Sequence, residues 1–373
     1  MPSAPAGSRQ TRAAGSLWNS CAMTATSPSS RDEARVRTLL LVAGSGRGGT
    51  SLFAGLSNRL GMHIPQPEVV ADSSNPRGFG EPRWAVDFHE QLLRSVAVTP
   101  EDARPAAFAI TEKISGRDGA RRRLEAWLDE QFQVSDRVVV KDPRLTWFLD
   151  LYASVTESMG ADIGVVTMLR HPAASIKSRQ LAYGTRSTDV RRLAGWLNMM
   201  LFLEKRTREL PRAVVGYEAL LGDWQGNLTE AERALRIPLL AGATAEQLHG
   251  AAELVDPALR RAAPDWSALD VPADLQQLAD VAFNALSGVA VGAGTSASDA
   301  QRTLDEVRET YVRYHRTAES VAGSSIAAAR ARERRKVELE RSADRPSDGP
   351  AGIRRVVAVA SHRVGRLAGR RRR

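Results

Sequence analysis

The chain reads as an α/β protein: a parallel sheet flanked by helices, with a helical extension at the C-terminal end. Three observations predict this. Short apolar runs at 38–43, 138–141, 163–169 and 213–216 are suited to buried parallel strands. Segments with helical apolar spacing lie between them, so strands alternate with helices. The first apolar run passes through a glycine-rich turn into a helical segment.

That turn is the most informative part of the chain. Leu39–Ala43 is followed by Gly44-Ser45-Gly46-Arg47-Gly48-Gly49, and Thr50-Ser51 open a segment of helical spacing through Leu60. A strand, a turn nearly free of side chains and a helix start present backbone N–H groups to an anion. The helix dipole adds positive potential there. The expected ligand carries phosphate or a similar oxyanion.

Helices are expected at 50–60, 82–95, 119–132, 145–159, 172–182, 189–209 and 227–234, and residues 245–290 read as helical. Gly292–Ser296 is a break. Ala297–Arg341 reads as one or two charged helices with Leu304, Val307, Tyr311 and Tyr314 on one face. The expected organisation is a disordered segment at 1–36, a main α/β domain at 37–292, a helical extension at 293–342 and a disordered basic tail at 343–373.

Composition bounds the function. Hydrophobic residues make up 43% of 373, enough for a real core, and no apolar run is long enough to span a membrane. Cys21 is the only cysteine, which excludes an internal disulfide. With no signal-peptide pattern, this leads us to expect a cytoplasmic protein. The net charge of +9 is unevenly placed. Val321–Arg373 carries fifteen Lys or Arg against five Asp or Glu, so the rest of the chain is near neutral. A nucleic-acid surface is therefore not expected. The basic tail leaves two readings open, a solubilising tail and a peripheral contact with an anionic membrane. The six histidines are scattered, and no metal site is expected.

Known loops can be weighed against Gly44–Ser51. The Walker A pattern is met by Gly44, Gly49 and Ser51, but Thr50 stands where its lysine reaches the phosphates. The dinucleotide fingerprint is met by Gly44, Gly46 and Gly49. It needs a second strand ending in an acid, and Ile64–Glu68 holds two prolines. The loop resembles most closely that of sulfotransferases using 3′-phosphoadenosine 5′-phosphosulfate (PAPS), where a basic residue sits inside the loop and a hydroxyl pair follows.

Three further segments resemble the same family in the same order. Arg170, at the end of the third apolar run, and Ser178, eight positions on, have the spacing of the family's 3′-phosphate ligands. Val138–Arg144 resembles its lysine-bearing strand, which implies that Lys141 lies near the transferred sulfuryl group. Val214–Leu221 is similar to its Tyr-Glu-Asp-Leu segment, which implies a nucleotide contact for Tyr217; Ala219 departs from that pattern. The resemblance spans roughly residues 38–225 and implies a parallel sheet of the P-loop NTPase-like kind. It implies PAPS as co-substrate, bound by Arg47, Gly48, Gly49, Thr50, Ser51, Arg170, Ser178 and Tyr217. Arg47 and Lys141 would stabilise the leaving oxygen.

For the base, Asn75–Glu81 resembles a segment of bacterial and some carbohydrate sulfotransferases in which a Glu after the loop helix accepts the proton. Glu81 is the first candidate, against an ordinary pair with Arg77 or Arg83. Asp142 is the second, against a helix-capping role. The histidine base of the phenol and steroid enzymes has no counterpart in Lys141-Asp142-Pro143, and His171 reads as structural. The subgroup likeness implies a hydroxyl on a glycan or glycolipid as acceptor. A small-molecule kinase with a degenerate loop, a dinucleotide oxidoreductase, and an adaptor without turnover remain as alternatives.

Overall fold

A computed structural model describes residues 36–72, 75, 78–184, 187–256, 265–293 and 296–343. The segments expected to be disordered, 1–36 and 343–373, fall almost wholly outside these residues, as does Arg77.

The first strand, β1 (Thr38–Gly44), is buried along its whole length, as its continuous apolar run requires. α1 (Thr50–Arg59) follows the glycine turn, and α2 (Arg83–Ser95), α3 (Ala106–Ser115) and α4 (Asp118–Val134) lead to β2 (Arg137–Lys141). A 3-10 turn (Pro143–Phe148) then runs into α5 (Leu149–Ser158) and β3 (Asp162–Leu169). α6 (Pro172–Tyr183) and α7 (Asp189–Arg206) precede β4 (Arg212–Gly216). The chain finishes with α8 (Tyr217–Gly222), α9 (Trp224–Leu235), α10 (Ala245–Ala252), α11 (Ala273–Gly288) and α12 (Ala297–Ala343).

The four strands form one parallel sheet in the order β2-β1-β3-β4. Register is continuous across it: Val42 pairs with Lys141, Gly44 with Met168, and Leu169 with Gly216. The two-residue period of a strand splits β1 between two layers. Leu39, Leu41 and Ala43 pack with Phe88, Leu124 and Tyr152 of α2, α4 and α5. Leu40 and Val42 pack with Phe53 and Leu228 of α1 and α9. Helices therefore cover both faces, as expected for α/β.

Two helices escaped the sequence reading. α3 buries Phe108, Thr111 and Ile114 at helical spacing, and α8 occupies the segment expected only to follow a strand. The helix expected at 145–159 begins instead with the 3-10 turn, because Asp142 caps it and Pro143 sits at its first position. Ile64–Glu68 forms only isolated bridges, so no second strand of a dinucleotide fold lies there.

α12 joins the domain through Leu304, Val307 and Tyr311, which pack with α7 and α11. Arg208 adds an ion pair to Asp305 at 2.8 Å. From Arg316 to Glu340 every residue is exposed. No helix of the described residues is long and apolar enough to cross a membrane.

Candidate active site

All four strands run the same way, so their C-terminal ends open on one edge of the sheet. A cleft of about 750 Å³ lies there. Its walls bring together Arg47, Gly49, Thr50 and Ser51 from the glycine turn, Glu81, Lys141, Arg170, Ser178 and Tyr217. These residues lie as far apart as Arg47 and Tyr217 in sequence.

The glycine turn is shaped by backbone demands. Gly49 has φ 97°, and a Cβ added there would run into the Tyr217 ring. Arg47 itself sits at φ 65°, a left-handed conformation rarely taken by a residue with a long side chain. It is held from two sides: Arg170 Nη1 donates to Arg47 O at 3.0 Å, and Arg47 Nε donates to Ser178 Oγ at 3.2 Å. The Arg170 guanidinium also lies over the Tyr217 ring, 4.6 Å from its centroid. Arg47, Arg170, Ser178 and Tyr217 thus form one cluster at the mouth of the turn.

α1 starts without a side-chain cap and without an acid in its first turn. Its first intrahelical bonds are made by Leu52 and Phe53 to Gly49 O, which leaves the Thr50 and Ser51 amides ahead of them at the positive end of the helix. Gly48 departs from the expectation. Its N–H is donated to Ser45 O at 3.0 Å and it does not line the cleft, so its amide closes the turn rather than facing a ligand.

Beside the turn, β2 ends at Lys141, which pairs with Val42 of β1. Its ammonium donates to Glu81 Oε1 at 2.5 Å, and both side chains are nearly buried. Glu81 is therefore paired across the cleft, and not with the neighbouring Arg83, which is exposed.

Asp142 does not join them. It is fully buried and is absent from the cleft wall. One oxygen binds His89 Nδ1 at 2.7 Å. The other accepts from Arg144 N at 3.0 Å and Arg144 Nη1 at 2.8 Å. Burial works to raise its carboxyl. The His89 hydrogen bond and the charges of His89 and Arg144 outweigh that and hold it at about 2. A carboxylate so enclosed cannot take a proton from a substrate in the cleft; it caps the 3-10 turn and orients Arg144. His171 is structural too: Nδ1 accepts from Ala173 N at the start of α6, and Nε2 lies 3.2 Å from Asp280.

The structure adds residues that sequence reasoning did not select. Arg144 reaches the cleft and donates to Glu90 Oε1 at 2.9 Å. Arg179 donates to Gly46 O at 3.3 Å and pairs with Glu101. Arg144 closes the segment Val138–Arg144, and Arg179 directly follows Ser178, so both lie beside residues already singled out. Glu90 and Glu101 carry no local signal, because only the fold brings α2 and its following loop to the strand ends. Among the described residues no cluster of metal-ligating side chains occurs.

Fold and cleft together define an α/β protein with a strand–glycine turn–helix cradle facing a buried Lys–Glu pair. No family model and no curated protein sequence matches the chain. Among solved structures it is similar to the sulfotransferase domain of the Synechococcus PCC 7002 olefin synthase, at 18% identity and a TM-score of 0.38, covering 67% of this chain and 96% of that one. It is similar to sulfotransferase STF1 of Mycobacterium tuberculosis H37Rv, at 17% identity and 0.36, covering 58% and 71%. The sulfotransferase domain of the curacin biosynthetic pathway gives 16% identity and 0.36, covering 66% and 98%.

Proposed function

We propose that this protein is a sulfotransferase that moves a sulfuryl group from PAPS to an acceptor hydroxyl on a carbohydrate or glycolipid. The observation that carries this reading is the convergence of Arg47, Arg170, Ser178 and Tyr217 on the glycine turn, with Lys141 and Glu81 facing it. The acceptor class rests on subgroup likeness: Asn75–Glu81 resembles bacterial and some carbohydrate-acting members of the family, and Lys141-Asp142-Pro143 resembles tyrosylprotein and several carbohydrate-acting members.

The residues present suit the donor. Thr50 and Ser51 offer helix-start amides to the 5′-phosphosulfate. Arg170 and Ser178 supply the fixed cation and the hydroxyl that a 3′-phosphate needs, and Tyr217 offers an aromatic face. When bound, PAPS supplies a sulfuryl group on a good leaving group: the acceptor oxygen bonds to sulfur as the bond from sulfur to the 5′-phosphate oxygen breaks. Glu81 takes the acceptor's proton. Lys141 and Arg47 place positive charge where the departing oxygen gains negative charge, and that stabilisation grows toward the transition state.

The alternative reading, a kinase with a degenerate loop, would need the phosphate-reaching lysine that Thr50 replaces. The decisive experiment compares 3′,5′-adenosine diphosphate, ATP and NAD by calorimetry, then follows radiolabelled PAPS turnover on a glycan panel. Tight binding of 3′,5′-adenosine diphosphate with label transfer supports the proposal. Binding of ATP alone, with Mg²⁺-dependent turnover abolished by EDTA, refutes it.

A further inference from the structure

The glycine turn is held from outside as well as by its own geometry. Arg179 of α6 donates to Gly46 O, and any Cβ at position 46 would collide with its guanidinium. Arg179 is itself paired with Glu101, in the loop that joins α2 to α3. The cleft's nucleotide end therefore depends on where that loop sits.

The loop, residues 96–105, is folded by Asp102, whose carboxylate accepts from Arg104 N at 3.0 Å and Arg104 Nε at 2.8 Å. Burial works to raise the Asp102 carboxyl, but the Arg104 and Thr99 hydrogen bonds hold it below the usual range. Two side chains then fasten this unit to the helices behind it. Asn198 of α7 donates to Asp102 O at 2.8 Å and to Arg104 O at 3.1 Å. The Tyr311 hydroxyl of α12 lies 2.6 Å from Ala103 O and 2.9 Å from Ala194 O, and shares its one proton between them. Tyr311 is 1% exposed and sits in the apolar seam with Leu304 and Val307. A Cβ at Gly195 would lie 2.7 Å from Glu101 O, so loop and α7 are already in closest approach.

A continuous path therefore runs from α12 to the turn: Tyr311, Ala103, Glu101, Arg179, Gly46. We propose that Tyr311 is a positioning residue for the glycine turn, so that the C-terminal helix sets the nucleotide end of the cleft without touching it. The affinity part of this claim rests on the nucleotide reading above; the part about the turn's order does not.

The test replaces Tyr311 with Phe, which keeps the ring and removes the hydroxyl. Two readouts are taken well below the unfolding midpoint. Affinity for 3′,5′-adenosine diphosphate should fall about fivefold to tenfold, the worth of one buried hydrogen bond. Hydrogen exchange at the Gly48 amide, whose bond to Ser45 O closes the turn, should quicken. Leu304→Ala is the control: it removes apolar packing of α12, should lower the midpoint at least as much, and should leave affinity within about twofold. Glu101→Gln should reproduce the Tyr311→Phe effects, and combining the two should add little. Wild-type exchange at Gly48 in Tyr311→Phe would overturn the proposal. So would equal loss of affinity in Leu304→Ala, or full additivity with Glu101→Gln. If the wild-type protein bound no 3′,5′-adenosine diphosphate, the nucleotide reading would fail, and the exchange data would still decide the role of Tyr311.

Discussion

Lys141 Nζ lies 2.5 Å from Glu81 Oε1, where a buried cation meets a buried carboxylate on the cleft wall. Each neutralises the other, so stability and chemistry should separate in a double-mutant cycle. Lys141→Met alone strands a carboxylate and should cost about 1–3 kcal/mol, less than in a closed core because the cleft admits water. Adding Glu81→Gln removes the stranded charge and should restore most of that loss. Turnover should stay down in both. Urea unfolding with PAPS turnover on the same samples checks this; recovery of turnover together with stability would remove both residues from the chemistry.

Glu81→Gln alone keeps size and hydrogen bonding. We expect donor affinity to hold within about threefold while turnover falls by about 10²–10⁴. Asp142→Asn is the comparison at the enclosed site. If donor affinity fell in step with turnover in Glu81→Gln, the residue would be a binding group and not a proton acceptor.

The 3′-phosphate reading predicts discrimination between nucleotides. The protein should bind 3′,5′-adenosine diphosphate at least about tenfold more tightly than 5′-AMP, since a charge-assisted contact contributes about 1.5–3 kcal/mol. Arg170→Ala should erase that preference, and Ser178→Ala should reduce it. Titration calorimetry on both nucleotides is sufficient, and equal affinities in the wild-type protein would remove the case for a 3′-phosphate site.

Gly49 and Gly78 separate backbone strain from steric collision. Both have positive φ, at 97° and 84°, but a Cβ at Gly49 meets the Tyr217 ring while one at Gly78 meets nothing within 4 Å. Gly78→Ala should cost about 1 kcal/mol of stability. Gly49→Ala should cost more and should weaken nucleotide binding by more than about tenfold, because it displaces Tyr217 from Arg170. Thermal melts and calorimetry distinguish the two variants.

Asp142 should prove structural. Asp142→Asn breaks the buried ion pair with Arg144, weakens the hydrogen bond to His89 and should lower unfolding free energy by about 3–5 kcal/mol near pH 7. The carboxyl falls from its ordinary 3.8 to about 2 on folding, so its contribution is fully present above the unfolded value. It is lost as pH falls through about 2. The gap between wild type and variant should be flat from about pH 5 to 8 and narrow toward pH 2 in urea melts.

The strands were legible because each is a bounded apolar run whose residues are buried on both faces; 138–141, for example, is observed as Arg137–Lys141. The gathering of residues at the cleft was legible where a motif is local, as at Gly44–Ser51, or where the spacing of a resembling family stood in for distance, as with Arg170 and Ser178. What failed was partner assignment. Nothing near Glu81 in sequence shows that its partner is Lys141, sixty residues on, and Arg77 and Arg83 are the nearer cations. Gly48 looked like a donor to a ligand because sequence does not show that Ser45 O folds back to accept its N–H. α3 was passed over although Phe108, Thr111 and Ile114 have helical spacing, because ten residues beside Pro105 make a short pattern.

The register of the sheet also sets where the chain can change length. Arg170 directly follows β3, and Leu169 lies beside Gly216, which directly precedes Tyr217. Dropping one residue between Ile163 and Leu169 would draw Arg170 back by about 3.3 Å and turn it to the opposite face of the sheet. The Arg170–Tyr217 contact would not survive that. A residue gained beside the exposed Gly242, between α9 and α10, leaves the count of every strand unchanged. Descendants of this chain can therefore gain and lose residues at exposed turns such as that one, while the four strands and the loop at 96–105 must keep their count.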